Sequence, residues 1–86
     1  MNYTIQIEKP AAKFIQKLPA PDKERVLKAI YKLPNEGDIK QLKGKKSNGF
    51  FRLRVGNFRI IYTVDHGKLI VCVVDAGNRG QIYNRY

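Results

Sequence analysis

The apolar patterning of this 86-residue chain predicts an α+β domain. Its antiparallel β-sheet is an N-terminal strand plus three C-terminal strands, with an N-terminal helical hairpin packed on one face. Three observations carry that prediction. Tyr3 to Ile7 alternates apolar and polar residues, Ala11 to Leu33 carries apolar residues at helical spacing, and Phe50 to Asp75 reads as three β-rich runs separated by two turn dipeptides. The length fits one domain, residues 1–86, and leaves no room for two.

Each element has a local cause. Tyr3, Ile5 and Ile7 share one face of the first strand, which Glu8-Lys9-Pro10 ends. Proline is tolerated in a first helical turn, so Pro10 opens a helix whose apolar stripe is Ala11, Phe14, Ile15 and Leu18. A second helix begins near Ala20-Pro21-Asp22, with Asp22 and Glu24 toward the positive end of its dipole and Val26, Ile30 and Leu33 as its stripe. The Pro-Ala-Pro turn between them makes an antiparallel hairpin. Pro34 to Gly49, with three glycines and four lysines, reads as a loop touching the core through Ile39 and Leu42. Strands follow at about Phe50 to Val55, Phe58 to Asp65 and Lys68 to Asp75, joined by tight turns at Gly56-Asn57 and His66-Gly67. Leu69 to Val74 is apolar at every position, as in a strand buried on both faces. The tail from Ala76 to Tyr86 has two glycines and a polar, aromatic end, and reads as flexible.

Charge narrows the partner class. The chain carries 17 Lys and Arg against 7 Asp and Glu, a net charge of +10. Such an excess favours nucleic acid, an anionic membrane or an acidic protein as partner. The basic residues are interleaved with Val, Ile, Leu and Phe, so the charge belongs to a folded surface rather than a tail. A single cysteine, Cys72, excludes an internal disulfide and points to a reducing compartment; within its apolar run it reads as a small buried residue, not a nucleophile. The N-terminus lacks the apolar run of a signal peptide, and no segment is apolar enough to span a bilayer. A cytoplasmic protein is expected.

The central strands concentrate that charge. Arg52 and Arg54 project from one face of their strand while Phe51, Leu53 and Val55 project from the other, and Arg59 follows on the next strand. Guanidinium groups on rigid backbone can grip phosphates bidentately, so this face is read as polyanion-facing.

The order and spacing of four elements resemble the RelE/ParE superfamily of bacterial toxins from toxin–antitoxin pairs. They are Phe14 to Pro19 in the hairpin, Leu42-Lys43-Gly44, the run from Phe51 to Tyr62, and Gly77-Asn78-Arg79 followed by Tyr83. Arginines on both central strands, an arginine after the last strand and a tyrosine four residues later look more like the RelE branch. That resemblance implies a ribosome-dependent endoribonuclease that cuts mRNA in the A site and inhibits translation. It implies Arg59, Arg79 and Tyr83 as catalytic residues, and mRNA, the ribosome and an acidic antitoxin as partners. The alternatives are a ParE-like inhibitor of DNA gyrase and a basic ribosome- or RNA-binding module that does not cut.

Metal-free RNA cleavage needs the 2′-OH to attack the neighbouring phosphorus, giving a cyclic phosphate and a 5′-OH end. The protein must stabilise the phosphorane and move two protons. One histidine, one cysteine and no clustered carboxylates suggest no metal site, and no cofactor is expected. Arg59 and Arg79 would hold the scissile phosphate; Tyr83 would orient or deprotonate the 2′-OH, or stack on a base. Arg52 and Arg54 stand where studied members often have lysine. Arginine keeps its proton, so these two would act electrostatically, with Lys43, Lys45 and Lys46 as further RNA-binding cations. The general base stays open among Tyr83, Lys43, Lys45 and ribosomal RNA. Arg59 has a structural rival role, pairing with Asp65 or Asp75 across the sheet, and the loop lysines have one as a solvated surface.

Overall fold

A computed structural model describes residues 2–43 and 49–86. The elements run β1 (Thr4–Ile7), α1 (Lys9–Gln16), α2 (Ala20–Tyr31), β2 (Asp38–Gln41), β3 (Phe51–Val55), β4 (Phe58–Asp65), β5 (Ile70–Asn78) and α3 (Arg79–Arg85). The α+β class and the N-terminal pair of helices match the sequence reading. The sheet differs from it in two respects. It has five strands, in the order β1-β5-β4-β3-β2, and β1, which does lie at an edge, runs parallel rather than antiparallel to β5, so the sheet is mixed.

The extra strand, β2, lies in the segment read as a loop. Its sequence, Asp-Ile-Lys-Gln, offers a single apolar residue and is mostly exposed. It is a strand because it pairs antiparallel with β3, setting Asp38 opposite Arg54 and Lys40 opposite Arg52. An edge strand needs no alternating apolar face, so periodicity is silent about it.

The two helices cover one face of the sheet, α1 over β5 and α2 against β3. Ala11 and Ile15 of α1 and Val26 and Ile30 of α2 are buried one helical turn apart, each pair on one stripe. They close on Leu53, Ile60, Tyr62, Val71 and Val73 from the strands, all almost wholly inaccessible to water. Phe14 packs edge-on against Phe58 (centroids 5.9 Å apart), and Phe51 stacks on Tyr62. Burial pushes the Tyr62 phenol from its ordinary 10.0 up to about 12, as fits a core tyrosine.

Two turns behave differently. Gly56-Asn57 is a two-residue hairpin with positive φ at Gly56 alone (58°), the type II′ arrangement that glycine accepts without strain. At the next turn the positive φ falls on Leu69 (57°) rather than on His66 or Gly67, and β5 starts later than expected, at Ile70. Here Asp65 closes the loop by accepting the Lys68 amide.

A β-bulge sets the second face. Ile61 pairs with Asp75 but Tyr62 pairs with Val73, so Val74 is an extra residue. Strict alternation from Val71 and Val73 would drive Asp75 into the core. The bulge turns it to the opposite face, and Ala76 takes the core position instead. The expectation of a strand buried on both faces therefore fails in part: Ile70, Cys72 and Val74 are only half-buried. Cys72 is near Glu8 (Sγ to Oε1, 3.6 Å); burial, then that carboxylate, raises its thiol pKa and keeps the sulfur an inert thiol.

The tail is the other correction. Residues 79–85 form α3, folded back onto the outer face of β5 and β4. Asn78 and Gln81 supply its start, the Gln81 side chain accepting the Asn78 amide at 3.0 Å. Among the described residues no helix is long and apolar enough to cross a membrane.

Candidate active site

The strand register arranges the outer face in two rows. Asp38, Arg54, Arg59 and Gly77 are successive neighbours across β2, β3, β4 and β5; Lys40, Arg52, Ile61 and Asp75 form the second row. Over the β5 end of both rows sits α3. Gly77 permits that approach: a Cβ there would meet Gln81 Oε1 at 3.0 Å and Ile82 Cγ1 at 3.3 Å.

Three contacts hold α3 in place. The Arg79 amide donates to Asn57 O at 3.0 Å, tying the helix start to the β3–β4 turn. Ile82 is buried against the sheet. At the far end Asp75, only 6% exposed, accepts Arg85 Nη1 at 2.9 Å and the Tyr86 hydroxyl at 3.3 Å, and its other oxygen takes the Ala76 amide at 2.8 Å. Burial first, then the Asp75 charge, raises the Tyr86 pKa, so that phenol stays protonated and keeps donating. Its ring rests edge-on against Phe50.

Between this helix and β2 lies an open pocket of about 400 Å³. Arg52, Arg54, Arg59, Arg79 and Tyr83 line it, so five of the eight site residues expected from sequence converge on one place. Lys43 is exposed and lies outside that lining; Lys45 and Lys46 fall outside the described residues. Lys40, Leu42, Ile61, Ile82 and Tyr86 complete the wall and were not among the expected site residues. Lys40 was countable as a loop lysine, but only its pairing opposite Arg52 shows that it faces the arginines.

Arg59 is the centre of the charge. Its Nη1 donates to the carbonyls of Gly56 (2.9 Å) and Phe58 (3.1 Å), which aims the guanidinium. It does not pair with Asp65 or Asp75. Its pKa is lowered by burial first, then by the charges of Arg52, Arg54 and Arg79, against which Asp38 pulls the other way. An arginine stays protonated regardless, so the mutual repulsion is a standing field that an anion relieves. Asp38 takes an ion pair from Arg54 and a longer contact from Arg52 Nη2 at 3.5 Å. Among the described residues Lys40, Arg59 and Arg79 make no ion pair. Tyr83, 81% exposed, stands at the rim with its ring open to solvent. Chemically, the pocket can hold an anionic centre of phosphate size among rigid donors and present one phenol beside it.

The family model described as ParE toxin of type II toxin–antitoxin system, parDE, matches residues 5–83. No curated protein matches the chain in sequence. Among solved structures, it is similar to a chain of the toxin–antitoxin complex RelBE2 of Mycobacterium tuberculosis: TM-score 0.77, 23% identity, 92% of this chain and 100% of that one. A chain of the archaeal RelE–RelB complex of Pyrococcus horikoshii is 27% identical at TM-score 0.73, over 94% of this chain and 99% of that one. The isolated RelE toxin of E. coli matches at 0.70 with 22% identity, over 96% and 93%. Identities of 22% and 23% establish a shared fold alone.

Proposed function

This chain belongs to the ParE toxin family of type II toxin–antitoxin systems, and we propose that it acts as a ribosome-dependent, metal-independent endoribonuclease in the cytoplasm, cutting mRNA in the A site. The observation that carries this reading is the convergence of Arg59, Arg79 and Tyr83 on one arginine-lined pocket. Arg59 and Arg79 hold the non-bridging oxygens of the scissile phosphate. The 2′-oxygen loses its proton and attacks phosphorus, the P–O5′ bond breaks, the leaving 5′-oxygen takes up a proton from water, and a 2′,3′-cyclic phosphate and a 5′-OH result. Arg52 and Arg54 add positive field beside that phosphate without holding it, and Tyr83 orients or deprotonates the 2′-OH. Among the described residues the lining offers no histidine, and the adjacent carboxylate, Asp38, is engaged by Arg52 and Arg54, which suits an enzyme whose substrate is positioned by the ribosome.

The partner in the resting cell is an acidic antitoxin. The solved complexes of similar toxins contain RelB antitoxins, and a chain of charge +10 calls for an anionic inhibitor. A second reading, inhibition of DNA gyrase, has one specific support: the matching family model is the ParE one.

The two readings separate by mapping reporter mRNA 5′ ends during brief expression, beside an Arg59→Ala/Arg79→Ala/Tyr83→Phe variant. Cuts in register with codons, confined to translated message and absent from the variant, are expected. Growth arrest with intact message and induced DNA-damage signalling would establish the gyrase reading instead.

A further inference from the structure

We propose that Asp38 is an internal anion occupying a second phosphate subsite, made by Arg52 and Arg54 beside the Arg59–Arg79 subsite, and that an RNA chain displaces it. The inference rests on the reading of this pocket as an RNA phosphodiester site.

The geometry at Asp38 is that of a stand-in for a phosphate. Its two carboxylate oxygens are divided between two guanidinium groups, Oδ1 toward Arg52 Nη2 at 3.5 Å and Oδ2 to Arg54 Nη2. A phosphate would bridge the pair through two of its own oxygens in the same way. The carboxylate is a poor occupant. The Arg52 contact is at the long limit, and the Arg52 Nε, buried, has no hydrogen-bond partner among the described residues. Asp38 and Arg54 are both about half exposed, and ion pairs open to water are weak. The occupant can therefore be exchanged.

The register says why an anion is needed there. Arg54 lies directly opposite Arg59 on the adjacent strand, and like charges so placed repel. On its other side Arg54 lies opposite Asp38. The pocket thus compensates one arginine pair internally and leaves Arg59, Arg79 and Lys40 for the incoming chain. A ligand with one phosphate satisfies the open subsite and leaves Asp38 where it is. A chain with consecutive phosphates fills both and expels the carboxylate, so the pocket prefers a polynucleotide strand over a mononucleotide.

The test is fluorescence anisotropy with a labelled tetrauridylate carrying 2′-O-methyl riboses, which cannot be cleaved, titrated at several salt concentrations. Asp38→Asn is expected to bind about three- to five-fold tighter, the worth of one exposed ion pair removed as competitor. Its log–log salt slope should stay that of wild type, because the bound chain makes the same phosphate contacts in both once Asp38 is expelled. Glu36→Gln removes the same charge two residues away from a side chain that no described arginine contacts; it should gain less than about twofold, with the slope unchanged. Equal affinities for Asp38→Asn and wild type, or equal gains in the two variants, would overturn the subsite. The Arg59→Ala/Arg79→Ala variant separates the underlying reading: binding unaffected there sinks the pocket as an RNA site, whatever Asp38 does. Binding lost there with Asp38→Asn unchanged leaves the RNA reading standing and discards the inference.

Discussion

The two faces of β3 and β4 are built from alternate residues of the same ten-odd positions, yet they obey opposite rules. Leu53, Ile60 and Tyr62 point toward α1 and α2 and are sealed from water. Arg52, Arg54 and Arg59, their immediate neighbours in sequence, point the other way into a pocket only partly roofed by α3. The first face gathers apolar surface, whose removal from water supplies the fold's driving force. The second gathers like charges, which oppose one another and, after burial, lower the Arg59 pKa. A sheet can carry that repulsion because its opposite face provides the stability. Charge and stability are separated here by the pleat of one backbone, a distance of a single residue.

Substitutions on the two faces should therefore have separable effects. The largest is expected on the covered face: Leu53→Ala leaves a cavity between β3 and α2 and should cost about 2–5 kcal/mol by denaturant unfolding. Arg59→Ala, one strand away, should leave the unfolding free energy within about 1 kcal/mol, since only two exposed or half-exposed side-chain hydrogen bonds are lost. The same variant should cut message cleavage about 10²- to 10³-fold, as removal of one rigid charge-stabilising donor does elsewhere. Finding the reverse, a stable Leu53→Ala and an unfolded Arg59→Ala, would erase the distinction between the faces.

Alkali titration tests the same division. Tyr62 ionises near its ordinary 10.0 when unfolded but only at about 12 when folded, because burial disfavours the phenolate. The unfolded chain then releases its proton first, so this contribution is complete below pH 10 and is lost as pH rises to about 12. The total is roughly 2–3 kcal/mol. Tyr62→Phe should flatten that part of the stability profile measured by urea melts.

The smallest effect is expected at the roof. Arg85→Ala leaves the buried Asp75 carboxylate with only Tyr86 and the Ala76 amide, and should weaken α3 docking by roughly 1–2 kcal/mol, less than a fully buried pair because Arg85 is half exposed. Hydrogen exchange should quicken at Ile82 to Tyr86 while Ile60 and Val73 amides stay protected. Uniform acceleration across the sheet would mean that α3 is part of the core rather than a lid on the second face.

How much of this was legible beforehand depended on whether a residue's surroundings are local. The apolar stripes of α1 and α2 and the alternation in β3 and β4 are periodic, and periodicity survives in a linear string. The same alternation placed Arg52 and Arg54 on one face, while Arg59, Arg79 and Tyr83 came from the family resemblance. Two elements were missed for different reasons. Asp38–Gln41 has no apolar period because an edge strand gains its structure from a partner, here one whose paired residues lie well beyond a single turn in sequence, from Gln41 with Phe51 to Asp38 with Arg54. The helix at Arg79–Arg85 did announce itself, through Asn78 and Gln81 in capping-box spacing, but two glycines and a polar composition masked the signal.

By itself, then, the sequence determined which face is apolar, that the charge belongs to a folded surface, and which arginines share a side. Those properties follow from alternation and composition, both local. Only the tertiary structure decided the fate of the carboxylates. Asp75 belongs by strict alternation to the core, and a single extra residue at Val74 turns it outward to anchor α3. Asp38 belongs by sequence to a loop, and strand pairing sets it between Arg52 and Arg54. Register and bulges are properties of two strands at once, and a one-residue slip moves a side chain to the other face of the sheet. No single segment of the chain contains that information.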